Sequence, residues 1–312
     1  MKKVLVSDYV HPALVSGLED RGYVVEYNKD FDPSRLEEKL PELSGIVINS
    51  KMIMHAERMA NADKLEFIAR LGSGLDIIDL EASAKKGIAV INTPEANCDA
   101  VAEHAIGQLL CLSNNLIRAD HQVRQKQWNR EGNRGFELGG KTIGLIGMGN
   151  TGRAMARKLS SWGLELLYYD PYVFELSEEY NYLQSVNLSE LQERSDIISL
   201  HVQLTGETHH MVDHIFLEKI KENCILINSS RGAVVKTEDL VEALENKRLK
   251  GACLDVFENE KPHSFTPHED QLYNKLYNMQ NVVLSPHIAG WTKDSLLKIA
   301  ELVLKKLDLF EN

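Results

Sequence analysis

Three residues in the second half of the 312-residue chain carry side chains suited to anion binding and proton transfer: Arg231, Glu260 and His287. Each stands just beyond an apolar run that reads as a strand, at 224–228, 251–256 and 282–284. Parallel strands would bring all three to one sheet edge. An arginine can hold a carboxylate in a bidentate clamp. A histidine can take a hydroxyl proton or give it back. A carboxylate on the second ring nitrogen fixes the tautomer and stabilises the imidazolium. A cation, an acid and an imidazole are the parts needed to oxidise a 2-hydroxy acid.

Such chemistry needs a hydride carrier, and the stretch 142–170 is patterned to hold one. An apolar run at 143–146 leads into Gly147-Met148-Gly149-Asn150-Thr151-Gly152; a helical pattern over 150–160 and a second apolar run at 164–169 follow, ending at Asp170. A lone GxGxxG is weak evidence. Here the glycines follow a strand, open a helix and precede, by 18 residues, an acid that ends the next strand. That context is the dinucleotide fingerprint. Gly147 permits the tight turn, Gly149 lets the backbone approach a pyrophosphate, and Gly152 lets helix and strand pack closely. The helix N-terminus supplies free N–H groups and a positive dipole end. Asp170 would accept from the adenine ribose hydroxyls and repel a 2′-phosphate. No arginine follows in Asp170-Pro171-Tyr172, so the cofactor reads as NAD rather than NADP.

The length suggests about two domains. The formal net charge is −11, with no long basic run, which argues against a general nucleic-acid or membrane-surface binder. An anionic substrate then needs a local cationic pocket. The four cysteines, Cys98, Cys111, Cys224 and Cys253, form no CxxC and read as buried, reduced thiols. The N-terminus reads as a strand opening rather than a signal peptide, and no apolar run approaches membrane-spanning length, so the cytoplasm is the default.

The first 95 or so residues alternate strands (4–7, 23–27, 45–49, 66–70, 88–92) with helical patterns (13–21, 33–40, 55–60, 80–86). This rhythm implies a doubly wound parallel sheet. Two of its strand-end loops carry cations. One is Asn49-Ser50-Lys51. The other, from Arg70 through Gly72, Ser73 and Gly74 to Asp76, is either an anion-binding nest or an ordinary tight loop with Arg70 in a surface ion pair. A long helix is expected from Asn97 to about Lys126, bridging two domains or joining a dimer interface; its His104 reads as a satisfied, buried histidine. Residues 128–140 read as a loop or arm, with Arg130 and Arg134 as surface charges or, as the alternative, side chains reaching a partner's cleft. Beyond Asp170 come a helix at 188–194, strands at 196–200 and 224–228, a helix at 237–246, strand 251–256, a polar loop, strand 282–284 and a helix over 292–310. His209-His210 lacks an acidic or cysteine partner at ligand spacing, so no metal is expected.

The chain resembles the D-isomer-specific 2-hydroxyacid dehydrogenase family, most closely its phosphoglycerate dehydrogenase branch. The resemblance runs through RxGxGxD at 70–76, NTPxxN at 92–97, ELxGKTIGxIGxGxxG at 137–152, NSSRG at 228–232, LDVFxxE at 254–260 and SPHIAG at 285–290. It implies an α/β fold of two doubly wound parallel-sheet domains: a Rossmann cofactor domain over 98–290, and a flavodoxin-like substrate domain from 1–97 and 291–312, with a cleft between that closes on substrate. It implies Arg231, Glu260 and His287 as catalytic residues. It places the backbone N–H groups of Asn150 and Thr151 at the pyrophosphate, Val202 and Ser229 along the cofactor, Asp255 at the nicotinamide carboxamide, and Ala289 beside it. Ser73 and Gly74 would hold the substrate carboxylate, with Lys51 and Arg70 at a phosphate. A homodimer is implied as well. The best reading of the substrate pair is 3-phosphoglycerate and 3-phosphohydroxypyruvate, as in serine biosynthesis; the alternative is hydroxypyruvate, glyoxylate or another 2-keto acid. The phosphoglycerate branch usually offers an arginine near Asn49, and here Lys51 stands two residues on. A C-terminal regulatory domain, and feedback through it, is not expected. Lys261-Pro262 replaces a direct Glu-Pro and leaves Glu260 in register. The formate dehydrogenase branch has glutamine where this chain has Glu260. A binding protein that senses NAD(H) without turnover is the reading of a different class, disfavoured by the intact Arg231, Glu260 and His287 set.

Overall fold

The computed structural model describes residues 1–311. Residues 1–97 alternate β1 (Lys3–Val6), α1 (Pro12–Asp20), β2 (Val24–Tyr27), α2 (Leu36–Lys39), β3 (Gly45–Ile48), α3 (Ala56–Ala60), β4 (Phe67–Arg70), α4 (Leu80–Lys85) and β5 (Ala89–Ile91). The strands form one parallel sheet in the order β2-β1-β3-β4-β5. Side chains alternate across it. Val4 and Val6 face one apolar layer, with Leu14 and Leu18 of α1. Leu5 faces the other, with Leu36 of α2 and Met59 of α3. Strand ends Asn49, Lys51 and Arg70 therefore sit on the carboxyl edge, where an open α/β sheet binds ligands.

The second unit begins with α5 (Cys98–Ser113) and α6 (Leu116–Arg124). One continuous helix was the expectation; the chain breaks at Asn115, whose φ is +53°. Asparagine tolerates this left-handed conformation, and the Ser113 carbonyl is taken by the Phe136 N–H at 3.0 Å, from the returning 128–140 segment. After it come β6 (Thr142–Ile146), α7 (Asn150–Leu159), β7 (Glu165–Tyr169), β8 (Leu183–Ser185), α8 (Leu188–Arg194), β9 (Ile197–Leu200), α9 (His214–Lys219), β10 (Cys224–Asn228), α10 (Thr237–Glu245), β11 (Leu249–Leu254), α11 (Pro267–Asn278) and β12 (Val282–Leu284). The seven strands are all parallel, in the order β12-β11-β10-β9-β6-β7-β8. The order reverses between β6 and β9, the switch point where such sheets hold dinucleotides. β10 is buried along its whole length, so its sequence is an unbroken apolar run up to Asn228. Leu226 faces one core layer; Ile225 and Ile227 face the other.

Three elements of this unit went unread in the sequence: β8, α9 and α11. The supposed polar loop before β12 contains the twelve-residue α11. It starts from a capping box in which the Thr266 hydroxyl accepts from Glu269 N–H, and the Glu269 carboxylate accepts from Thr266 N–H, with Pro267 in the first turn. The four cysteines form no disulfide, but only Cys224 and Cys253 are buried; Cys98 and Cys111 are half-buried. Burial pushes the Cys224 thiol up to about 12.

The closing helix α12 (Lys293–Glu311) belongs to the first unit, which comprises Met1–Asn97 with Trp291–Asn312; the second comprises Cys98–Gly290. α12 lays Ile299, Ala300, Val303 and Leu307 into the layer shared with α1, and Asp308 accepts two hydrogen bonds of 2.7 Å from Arg21. No described helix is long and apolar enough to cross a membrane.

Candidate active site

The glycine turn follows β6 directly. Gly147 has φ +93°, and a Cβ there would sit 2.6 Å from the His201 carbonyl oxygen, so the turn at the switch point admits only glycine. A Cβ on Gly152 would lie 2.2 Å from the Gly147 carbonyl oxygen, which is the close helix–strand packing expected of that position. Gly149 is different: a Cβ there meets nothing within 4 Å. It would project into open space over the start of α7, a ten-residue helix whose first turn has no side-chain cap. Uncapped N–H groups beside open space form a cradle for an anion.

Asp170 ends β7 at the same edge. Its Oδ2 accepts from Met148 N–H at 2.7 Å and its Oδ1 from Tyr172 N–H at 2.9 Å. The carboxylate thus grips the glycine turn, and each oxygen keeps acceptor capacity for a hydroxyl. Half-buried Val202 follows β9, and Ser229 follows β10 with its Oγ buried and without a partner among the described residues. An orphaned buried hydroxyl at this edge is what a bound molecule would satisfy. These features fit a dinucleotide: an open phosphate cradle, a ribose acceptor and a polar wall.

Glu260 and His287 come from the loops after β11 and β12. Glu260 Oε2 lies 2.9 Å from His287 Nδ1, and Glu260 Oε1 accepts from Phe257 N–H at 3.3 Å. Burial would raise the Glu260 carboxyl, but the His287 hydrogen bond and charge, the Phe257 amide and the nearby Arg231 guanidinium together hold it below the usual carboxylate range. The carboxylate therefore stays ionised. Nδ1 faces it, so Nε2 is the ring nitrogen left to exchange a proton with a substrate. Arg231 follows β10, where the Asn228 side chain donates to its carbonyl at 3.0 Å, and its Nη1 donates to the Ser230 carbonyl at 2.9 Å. The structure thus sets these three residues after three consecutive strands, β10, β11 and β12, of one sheet edge.

Asp255, 1% exposed, is wired into the same edge. Oδ1 accepts from Ile288 N–H at 2.9 Å and Oδ2 from Ala289 N–H at 2.8 Å. Its backbone carbonyl accepts from His287 N–H at 2.7 Å. Three polar residues that the sequence reading left out of the site join it here: His104, Gln108 and Ser285. Their signal was a pair of polar residues one turn apart on the otherwise apolar face of α5. His201 follows β9 at this edge: both ring nitrogens are buried without a partner among the described residues, and burial pushes the ring down to about 4. His209 and His210 stack at 3.9 Å, and His210 Nε2 is paired with Glu258, an acid that sequence spacing did not reveal. No group of three metal-ligating side chains forms among the described residues.

In the first unit, Gly72 has φ +138° and its N–H donates to Thr93 Oγ1 at 3.0 Å, while Asn92 Nδ2 donates to the Ser73 carbonyl at 2.9 Å. These bonds hold the loop at the Gly72 amide and the Ser73 carbonyl and leave the Ser73 and Gly74 N–H groups without a protein partner among the described residues. Lys51 Nζ donates to the Lys29 carbonyl at 2.7 Å and lies 3.9 Å from the Asp8 carboxylate. Arg70 Nη1 donates to the Leu71 carbonyl at 2.5 Å. Arg134, in the arm, pairs with Glu131 at 2.8 Å.

Residues 106–289 match the family model of the D-isomer specific 2-hydroxyacid dehydrogenase, NAD binding domain. A D-3-phosphoglycerate dehydrogenase of Methanocaldococcus jannaschii is 33% identical over 95% of this chain, which spans only 55% of that relative's length. A glyoxylate reductase of Thermococcus litoralis is 38% identical over 93% of this chain and 88% of its own. Among solved structures, a D-lactate dehydrogenase from Aquifex aeolicus, complexed with NAD and lactic acid, superposes with a TM-score of 0.87 at 29% identity, covering 99% of this chain and 95% of that one. The chain belongs to the D-isomer-specific 2-hydroxyacid dehydrogenases, a family of NAD-dependent oxidoreductases.

Proposed function

We propose that the chain interconverts a D-2-hydroxy acid and its 2-keto acid with NAD. The observation that carries this reading is the Glu260–His287 pair, 2.9 Å apart on the sheet edge that also bears the glycine turn. Bound NAD would supply the hydride acceptor, and NADH the donor. The protein's part is positional and protic. Gly149, Asn150 and Thr151 cradle the pyrophosphate, with Gly147 making the turn and Gly152 letting the helix pack on the strand beneath it. Asp170 accepts from the ribose; Val202, Ser229, Asp255 and Ala289 line the remaining length. Arg231 clamps the substrate carboxylate; in the first unit, the Ser73 and Gly74 N–H groups are suited to an anion. His287 Nε2 removes the C2 hydroxyl proton in oxidation and returns it in reduction, and Glu260 stabilises the imidazolium in between.

Two substrate readings are supported by different observations. 3-Phosphoglycerate rests on Lys51 and Arg70, two cations at the strand ends of the first sheet. Hydroxypyruvate or glyoxylate is favoured by Lys51 being engaged already, with the Lys29 carbonyl and the Asp8 carboxylate beside it, and by Asn49 standing where an arginine would help bind phosphate. NADH oxidation with 3-phosphohydroxypyruvate, hydroxypyruvate, glyoxylate and branched 2-keto acids separates them. No turnover on any of these would leave a binding protein that senses NAD(H). A homodimer is proposed from the apolar side chains that α6 and the following arm present: Leu116, Ile117, Val123 and Trp128 are each at least half exposed. Sedimentation at a monomer's mass would reject it.

A further inference from the structure

Asp255 receives three donors: the N–H groups of Ile288 and Ala289, and the Ser285 hydroxyl. A carboxylate so occupied has no proton to give, so the single Ser285 proton points to Asp255. The two other polar atoms on Ser285 Oγ must then donate to it. One is Gln108 Nε2, at 2.9 Å, whose amide orientation is fixed because the same nitrogen donates to the Leu254 carbonyl at 3.2 Å. The other is His104 Nε2, at 2.8 Å. The count therefore fixes the His104 tautomer: Nε2 carries the proton.

This chain of donors ends on the loop that carries His287. His287 has φ +56°, a left-handed conformation that a non-glycine residue keeps only when its surroundings over-determine it. What determines it here is Asp255, which holds the amides of residues 287, 288 and 289 through its carbonyl and both carboxylate oxygens. We propose that His104 and Ser285 are positioning residues for His287: His104 Nε2–H orients the Ser285 hydroxyl, and Ser285 orients the Asp255 carboxylate that fixes the left-handed turn. The proposal rests on the dehydrogenase reading and adds to it a role for α5, which contributes no residue to the hydride or proton path.

The test uses His104→Phe, His104→Gln and Ser285→Ala in the full chain, assayed with NADH against glyoxylate and hydroxypyruvate. His104→Phe and Ser285→Ala should each lower kcat about tenfold, with any rise in the Kd for NADH smaller than that, since a small misplacement of a reacting group costs rate before affinity. Glutamine keeps a donor where Nε2 stood, so His104→Gln should recover most of the loss. An unaffected His104→Phe, or a glutamine variant as slow as the phenylalanine one, overturns the proposal. A second arm needs no turnover: ¹⁵N NMR of histidine-labelled enzyme, with His104 assigned by its loss in His104→Gln, should show a protonated Nε2. The opposite tautomer overturns the relay. If the wild-type chain reduces none of 3-phosphohydroxypyruvate, hydroxypyruvate, glyoxylate and branched 2-keto acids, the dehydrogenase reading fails, while the tautomer still judges the relay by itself.

Discussion

Glu260 and His287 stand 27 residues apart in the chain and meet with 2.9 Å between carboxylate Oε2 and imidazole Nδ1. Replacing the imidazole removes the proton exchanger without touching the glycine turn. His287→Asn should lower kcat by roughly 10²–10⁴ while NADH binding stays the same. Stopped-flow turnover together with fluorescence titration of NADH measures both, and wild-type kcat would take His287 out of the mechanism.

The same pair sets a pH dependence. Glu260 is held below the ordinary carboxylate range, so its charge is present above that range and is lost only as pH falls through the lowered value. Across neutral pH the imidazolium therefore has an anionic partner. Glu260→Gln removes it and makes the protonated ring less stable. Keto-acid reduction needs that proton, so the alkaline limb of the kcat/KM profile should move toward acid. A profile that superimposes on the wild type would dissolve the pairing.

Two glycines of one motif should fail in different ways. An alanine at Gly149 meets no protein atom within 4 Å, so Gly149→Ala should fold and melt as the wild type does. Its methyl group enters the phosphate cradle, and NADH affinity should fall about tenfold or more, the scale of one misplaced methylene in a binding pocket. At Gly152 the added carbon lies 2.2 Å from the Gly147 carbonyl oxygen. Gly152→Ala should cost about 1–3 kcal/mol of stability through overpacking. Calorimetry and NADH titration of both variants check the contrast; equal melting temperatures would contradict it.

Substrate choice can be read from the first unit. If phosphate is bound by Lys51 and Arg70, then Lys51→Ala and Arg70→Ala should depress kcat/KM for 3-phosphohydroxypyruvate far more than for glyoxylate. Each lost charge-assisted contact is worth about 1.5–3 kcal/mol, or roughly 10- to 150-fold. Equal losses on both substrates would refute phosphate binding there.

Legibility of the chain followed its physics. β10 is apolar from Cys224 to Ile227 and ends on Asn228, and its bounds were readable because a strand buried on both faces has no other composition. α11 was missed because only Tyr273 and Leu276 are buried along it, so its apolar periodicity is faint; the Thr266–Glu269 box was the signal to use. The break at Asn115 was hidden because helical spacing continues on either side of a single left-handed residue. In the site, Glu260 and His287 were visible by type, since an acid and an imidazole after strands of one sheet share an edge. The support behind them was not. His104 and Gln108 acquire meaning only from Ser285, more than 170 positions away, and no local pattern encodes that pairing. The substrate stayed illegible for a related reason: Lys51 is a cation in sequence, but its ammonium group is engaged by Lys29 and Asp8.

The return of α12 to the first unit has a consequence for the order of synthesis. Residues 98–290 are contiguous and can complete their core without any later residue. The opening 97 residues cannot, because Ile299, Ala300, Val303 and Leu307 fill a layer begun by Leu14 and Leu18 almost three hundred codons earlier. The first part of the chain to be made is thus the last to finish folding, and a chain truncated before α12 would carry a contiguous nucleotide-binding unit behind a sheet face that α1 alone covers only in part.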